Sequence, residues 1–247
     1  KRDFFVPSKN TMLHRFKMAH KIKSILDSFK EILKWGNDLG LQPVAYLNTT
    51  VQPSGSNNTS PFQDKALIVG RDKDISYLVQ MVCKNHEENL RLIAVIGMGG
   101  QGKTTLARMV FNSDIVINMF PNKIWVTVSH DFDLMNILNQ MVESLTSKPS
   151  MFRNAQGVIN VLQKKLKGKT FLIVLDNVWN EKPENWDELM NSLLGVGGAK
   201  GSSILITTRN QKVIDAMRCP ISYRLDNLSE QDSWELFKKS AFSQGGV

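Results

Sequence analysis

Cysteine is nearly absent: Cys83 and Cys219 are the only two in 247 residues. Two thiols cannot staple a chain of this size, and neither has ligand-spaced companions. A disulfide framework and a zinc-type site are therefore excluded, and both read as reduced thiols of a cytosolic protein. Long apolar runs are missing too. No stretch approaches the ~18 residues of a membrane span, and no signal-peptide pattern opens the chain. Histidine is scarce, and His14 and His130 stand alone, which makes them surface or loop residues rather than catalysts. Most of the chain also lacks an excess of one charge. Of the formal net charge of +8, residues 1–60 supply nine Lys/Arg against four Asp/Glu, so the rest is near neutral and argues against a long basic track for nucleic acid. The basic N-terminal bias reads as a solvated helix face, with an acidic protein surface, a membrane or nucleic acid as competing readings.

What is present is a globular composition, 42% hydrophobic, and a length that suits one large core with an appendage. From Met12 onward Ile22, Ile25, Leu26, Phe29, Ile32 and Leu33 recur at three- and four-residue steps. They predict one amphipathic helix ending near Gly40, with Lys21, Lys23, Lys30 and Lys34 off its stripe. One such helix cannot bury its own stripe, so partner helices are expected upstream. A start at Lys1 and a stop soon after a helical pattern lead us to expect a fragment of a longer protein. Residues 41–63, including Gln52-Pro53-Ser54-Gly55-Ser56-Asn57, have neither helical nor strand period and read as a flexible linker. The body is then 64–247.

Within the body, apolar runs alternate with helical patterns. Leu92–Ile96, Ile124–Val128, Phe171–Leu175, Ser203–Thr207 and Ile221–Leu225 read as strands. Between and around them lie helices through Ile75 and Val82, Met135 and Leu145, Val158 and Leu166, Trp186 and Leu194, Val213 and Met217, and Trp234 and Phe237. Ser229 with Asp232 three residues on predicts the start of the last helix. Repeated strand–helix units predict an α/β fold of the P-loop NTPase kind. Its sheet is mainly parallel and five-stranded, with helices on both faces and a ligand at the carboxyl ends of the strands. Trp125, Trp179 and Trp234 read as packing residues.

Gly97-Met98-Gly99-Gly100-Gln101-Gly102-Lys103-Thr104-Thr105 stands between the first strand and its helix, the context that a phosphate loop needs. Gly99, Gly100 and Gly102 let successive N–H groups turn toward an anionic oxygen, and the helix read from Leu106 to Phe111, directly after Lys103, Thr104 and Thr105, adds its positive end. Lys103 is placed to neutralise outer phosphates and Thr104 to complete a magnesium shell. Asp176 follows an apolar strand directly and is expected to hold the same magnesium. Asn177 beside it can orient a water but cannot accept its proton. Arg209, after Thr207-Thr208, is placed to touch a γ-phosphate, the alternative being a surface arginine in a salt bridge.

The order of these motifs resembles the NB-ARC module of plant nucleotide-binding leucine-rich-repeat immune receptors. The resemblance runs from Val69-Gly70-Arg71 through the glycine loop, Trp125-Val126-Thr127-Val128-Ser129, Leu172 to Trp179, Gly201 to Arg209 and Tyr223-Arg224-Leu225, to Ser233-Trp234-Glu235-Leu236-Phe237. Residues 1–40 look like the end of the coiled-coil domain found in one branch of that family. The resemblance implies an ATPase-type switch holding ADP at rest and exchanging it for ATP with magnesium. Recognition of a pathogen effector, direct or indirect, would be followed by self-oligomerisation and cell-death signalling. It implies further that Val69 and Arg71 line adenine and ribose, that Lys103, Thr104, Asp176 and Arg209 do the phosphate and metal work, and that hydrolysis is slow because most relatives carry a second Asp where Asn177 stands. The implied partners are its own coiled-coil and leucine-rich-repeat domains. The implied location is the cytoplasm, with nuclear or membrane association left open and any membrane contact assigned to the N-terminal domain. A P-loop phosphotransferase or a nucleic-acid-dependent ATPase are the alternatives; the first would need an acceptor pocket and a catalytic base that the sequence does not offer.

Overall fold

The computed structural model describes residues 68–242 and, upstream, helical residues 20–24, 26–28, 30, 31, 34 and 35. Chain contacts divide it into two compact units, Lys1–Gly55 and Ser56–Val247. In the first, the described residues lie on the predicted amphipathic helix, where Ile22 and Leu26 are about half exposed. The linker predicted at 41–63 lies outside the described residues.

The second unit is built on five strands: β1 (Leu90–Ile96), β2 (Asn122–Thr127), β3 (Phe171–Val178), β4 (Ser202–Thr208) and β5 (Ile221–Arg224). All pair in parallel, in the order β2-β3-β4-β1-β5. Among the described residues eight helices accompany them: α1 (Asp72–Cys83), α2 (Lys103–Phe111), α3 (Asp114–Met119), α4 (Leu134–Thr146), α5 (Ala155–Leu166), α6 (Pro183–Val196), α7 (Gln211–Ala216) and α8 (Glu230–Phe242). The sequence reading misses α3, a single short helix in the connection from α2 to β2. Among the described residues no helix is long and apolar enough to cross a membrane.

Side chains alternate across a strand, so each inner strand feeds two cores. Ile173, Leu175, Ile204 and Ile206 point to one face, under α4 to α7, and join Leu138, Leu162, Trp186 and Val213. Leu172, Val174, Leu205, Ile93 and Val95 point to the other, under α1 to α3, and join Leu78, Val82, Leu106 and Val110. Burial on both faces is why β3 reads as a continuous apolar run. Local chemistry sets the helix ends. The Asp133 and Asn154 side chains accept from Asn136 and Gly157 N–H groups to start α4 and α5. Pro183 opens α6, and Gly197, with φ of 72°, closes it. At α8 the Ser229 hydroxyl accepts from the Asp232 N–H at 3.0 Å and donates to the Asp232 carboxylate at 2.7 Å. Trp234 is 58% exposed, its ring stacked on Phe237 with Lys238 Nζ 5.9 Å from its centroid, so among the described residues it does not pack inward as the sequence suggests.

Candidate functional site

The glycine loop leaves β1, which lies between β4 and β5, and is tied to β4 there, Gly97 N–H donating to the Thr208 carbonyl at 3.2 Å. Gly100 and Gly102 have φ of 78° and 96°, and Gly102 is the N-cap of α2. Those left-handed angles are what lets the loop fold over the helix start. Lys103, buried at 8% exposure, reaches back across the loop to the Met98 carbonyl at 2.6 Å. Its pKa is held below the ordinary lysine value, first by burial and then by the Arg209 charge, with Asp176 partly opposing both. Two cations, Lys103 and Arg209, and one opposing carboxylate, Asp176, therefore act on one another here, a balance that suits a negatively charged ligand.

Asp176 is fully buried and sits where β3 departs from regular pairing with β4. Leu175 pairs with Ile206 and Val178 with Thr208, so Asp176 and Asn177 together face Thr207. The extra residue makes a bulge, and Asn177 takes φ of 62°, an angle that asparagine tolerates better than most side chains. One Asp176 oxygen accepts from the Thr104 hydroxyl at 2.8 Å and from the Thr207 hydroxyl at 2.5 Å. The Asn177 N–H donates to the Thr207 oxygen at 2.9 Å, and its side-chain oxygen accepts from Trp179 Nε1 at 3.0 Å.

Arg209 leaves the end of β4 and turns toward the loop. Its Nη1 stands 2.8 Å from where a Cβ on Gly99 would be, so a side chain at 99 would displace the guanidinium from this position. Behind it, the Trp179 ring lies 4.9 Å from the guanidinium carbon. Lys103, Thr104, Thr105, Asn177 and Arg209 line one cavity of about 230 Å³. A second, of about 470 Å³, shares Gly100 with it and is lined by Arg71, Gly99, Gln101 and Asn227. Buried Arg71 bridges these parts, donating to the Gln101 carbonyl at 3.0 Å and pairing with Asp74 at 3.2 Å. Tyr223 donates to the other Asp74 oxygen, and burial, then that hydrogen bond, push its pKa up to about 12. Val69 is buried two residues before Arg71 and does not line either cavity.

The sequence-predicted phosphate and metal residues thus share one end of the sheet, with Arg71 at the neighbouring cavity. Sequence reasoning missed Thr207 on Asp176, the Tyr223–Asp74–Arg71 chain, and Gln101, whose amide takes the Met98 N–H at 2.5 Å and donates to Asn227 at 2.7 Å. A signal existed for Thr207, a hydroxyl on the strand adjoining Asp176, and Arg71–Asp74 and Met98–Gln101 are each only three residues apart; Tyr223 to Asp74 and Gln101 to Asn227 join segments far apart in the chain.

With this geometry in place, comparisons identify related proteins. A family model described as the NB-ARC domain matches residues 71–245. Disease resistance protein RGA2 of Solanum bulbocastanum is 36% identical over 232 residues, covering 92% of this chain and 23% of that protein. A putative disease resistance RPP13-like protein 1 of Arabidopsis thaliana is 34% identical over 90% of this chain and 21% of its own length. The chain therefore spans under a quarter of these relatives. In fold it is similar to the Aeropyrum pernix ORC2 protein, solved as ADPNP–ADP complexes. The TM-score is 0.55 at 17% identity, over 75% of this chain and 54% of that one.

Proposed function

The chain belongs to the NB-ARC family, and on that premise we propose that it is the adenine-nucleotide switch of a plant intracellular immune receptor. The observation that carries this reading is the meeting of Lys103, Asp176 and Arg209 at one end of the sheet, around a cavity that Lys103 and Arg209 line. ADP or ATP would place its phosphates against the N–H groups of Gly99, Gly100, Gly102 and Thr105, with Lys103 on the outer oxygens. Arg71, which lines the larger cavity, would lie on the adenine and ribose side. Arg209 would meet the γ-phosphate and so register whether the nucleotide is a triphosphate.

The residues present fit magnesium. Asp176 and Thr104 offer two hard oxygens within 2.8 Å of each other, while no group of three His, Cys, Asp or Glu side chains gathers among the described residues. That set suits an ion that keeps its waters and shares phosphate oxygens rather than one caged by protein. Bound there, magnesium would neutralise phosphate charge. Thr207 holds the Asp176 carboxylate in orientation.

Output in this reading comes from different contacts made to ADP and ATP, not from fast turnover. Exchange upon effector perception would drive self-oligomerisation and defence signalling in the cytoplasm, acting through the receptor's coiled-coil and leucine-rich-repeat domains. Asn177 cannot take a proton, and its oxygen is already engaged by Trp179. Hydrolysis is therefore expected to be slow. Asn177→Asp should raise single-turnover hydrolysis by roughly 10²-fold, the low end of a positioned base's contribution; an unchanged rate removes the missing carboxylate as the limit. The main test is to denature the purified protein and identify what it releases. An adenine nucleotide from wild type and none from Lys103→Ala is expected, and equal occupancy in both would overturn the assignment of that lysine.

A further inference from the structure

Lys103 and Arg209 present two cations to one loop, and Asp176, the carboxylate set against Lys103, is fully buried behind Thr104 and Thr207. Like charges repel, and Arg209 is the exposed, long and flexible member. Left to itself its guanidinium would swing into water. What opposes this is the ring face of Trp179, 4.9 Å from the guanidinium carbon, while the absence of a side chain at Gly99 leaves the loop side open for it. Trp179 is itself fixed: its Nε1–H is held by Asn177 at 3.0 Å.

The backbone explains why Trp179 is in that place. Val178 pairs with Thr208, so the next residues, Trp179 and Arg209, leave adjacent strands side by side. Without the extra residue at Asp176–Asn177 the register would slip by one, and a one-residue slip turns each following side chain to the opposite face. The left-handed turn at Asn177 therefore does two things, freeing the Asp176 carboxylate for Thr104 and bringing Trp179 up against Arg209.

The geometry points to Trp179, braced by Asn177, as the positioning residue that holds Arg209 over the phosphate loop and so sets the preference for triphosphate over diphosphate. This rests on the switch reading above. Trp179 need not touch the nucleotide; it removes the freedom that Arg209 would otherwise lose on meeting a γ-phosphate.

The test measures affinities of the full chain, with magnesium, for ADP and for the non-hydrolysable adenosine 5′-(β,γ-imido)triphosphate, and takes their ratio. An exposed cation–ring contact corresponds to a factor of about 2–5. Trp179→Ala should lower triphosphate affinity by about that factor and leave ADP affinity unchanged, which also reports that the variant folds. Trp179→Phe should keep most of the ratio. Arg209→Ala should collapse it, and Trp179→Ala added to Arg209→Ala should change nothing further. Equal losses for both nucleotides, or additive effects of the two substitutions, would make Trp179 a packing residue and overturn the inference. If Arg209→Ala shifts the ratio and Trp179→Ala does not, only the inference falls. If Arg209→Ala itself leaves the ratio at its wild-type value, the sensor reading falls and the inference with it.

Discussion

The two ends of the parallel sheet use buried polar residues in opposite ways. At the amino ends of the strands, Ser202 and Ser203 are fully buried and donate to the Ala199 and Val82 carbonyls at 2.8 and 3.3 Å. Each mends a backbone acceptor left over by a chain end. At the carboxyl ends, Lys103, Asp176 and Thr207 are also buried, yet Asp176 is bonded by the Thr104 and Thr207 side chains, Lys103 reaches only the loop's own Met98 carbonyl, and the group borders an open cavity. The first arrangement is complete in itself. The second carries concentrated charge, two cations and one carboxylate, whose balance an anionic ligand would restore. Burial of polar groups alone does not mark a site; what marks it is burial with charge left over.

That contrast can be broken by substitution. Lys103→Ala should weaken ADP binding roughly 10- to 100-fold, as for a lost charge-assisted hydrogen bond, with a melting temperature within about 3 °C of wild type. A large loss of stability would make Lys103 a structural residue. Gly198→Ala acts at the other end, where a Cβ would come within 2.2 Å of the buried Phe171 ring. It should cost about 1–3 kcal/mol in chemical denaturation and leave ADP affinity unchanged. A variant as stable as wild type would mean that the ring has room to move.

Smaller effects sharpen the comparison through pH. Tyr223 ionises near 10 when unfolded and at about 12 in the fold, so its contribution to stability is whole below pH 10 and is lost as pH rises toward 12. Tyr223→Phe should flatten the alkaline limb of a pH–stability curve, since Asp74 keeps Arg71 as its partner. The amino end has an exception to its completeness: among the described residues His86 Nδ1 is buried without a hydrogen-bond partner, the Glu88 carboxylate standing 3.9 Å away. Burial, then Arg91, lower its pKa, with Glu88 and Glu87 opposing, while Ser203 faces its other nitrogen at 3.5 Å. Below about pH 6.5 the unfolded chain takes up a proton that the folded one refuses. Stability should therefore fall with acidification, and His86→Leu should reduce that fall by about 1–2 °C in melting temperature. Identical acid limbs would place the dependence on other groups.

The five strands were legible because each carries its own signal, an apolar run with turn residues at its ends. The phosphate loop was legible because its chemistry is contiguous, six residues between a strand and a helix plus the first turn of that helix. Short α3 lacks a periodic pattern long enough to read. Trp234 misled because an aromatic at helical spacing looks the same whether or not a partner covers it.

Sequence by itself determined the alternation of strands and helices, the glycine loop and the residue types able to hold phosphate, since these depend on neighbours along the chain. Only the tertiary structure decided that β1 lies between β4 and β5, that a bulge at Asp176–Asn177 sets the register of β3, and that Trp179 stands behind Arg209. Those facts follow from strand pairing and from packing across more than 30 residues of chain, where a slip of one position reverses every side chain and no local pattern records which register wins.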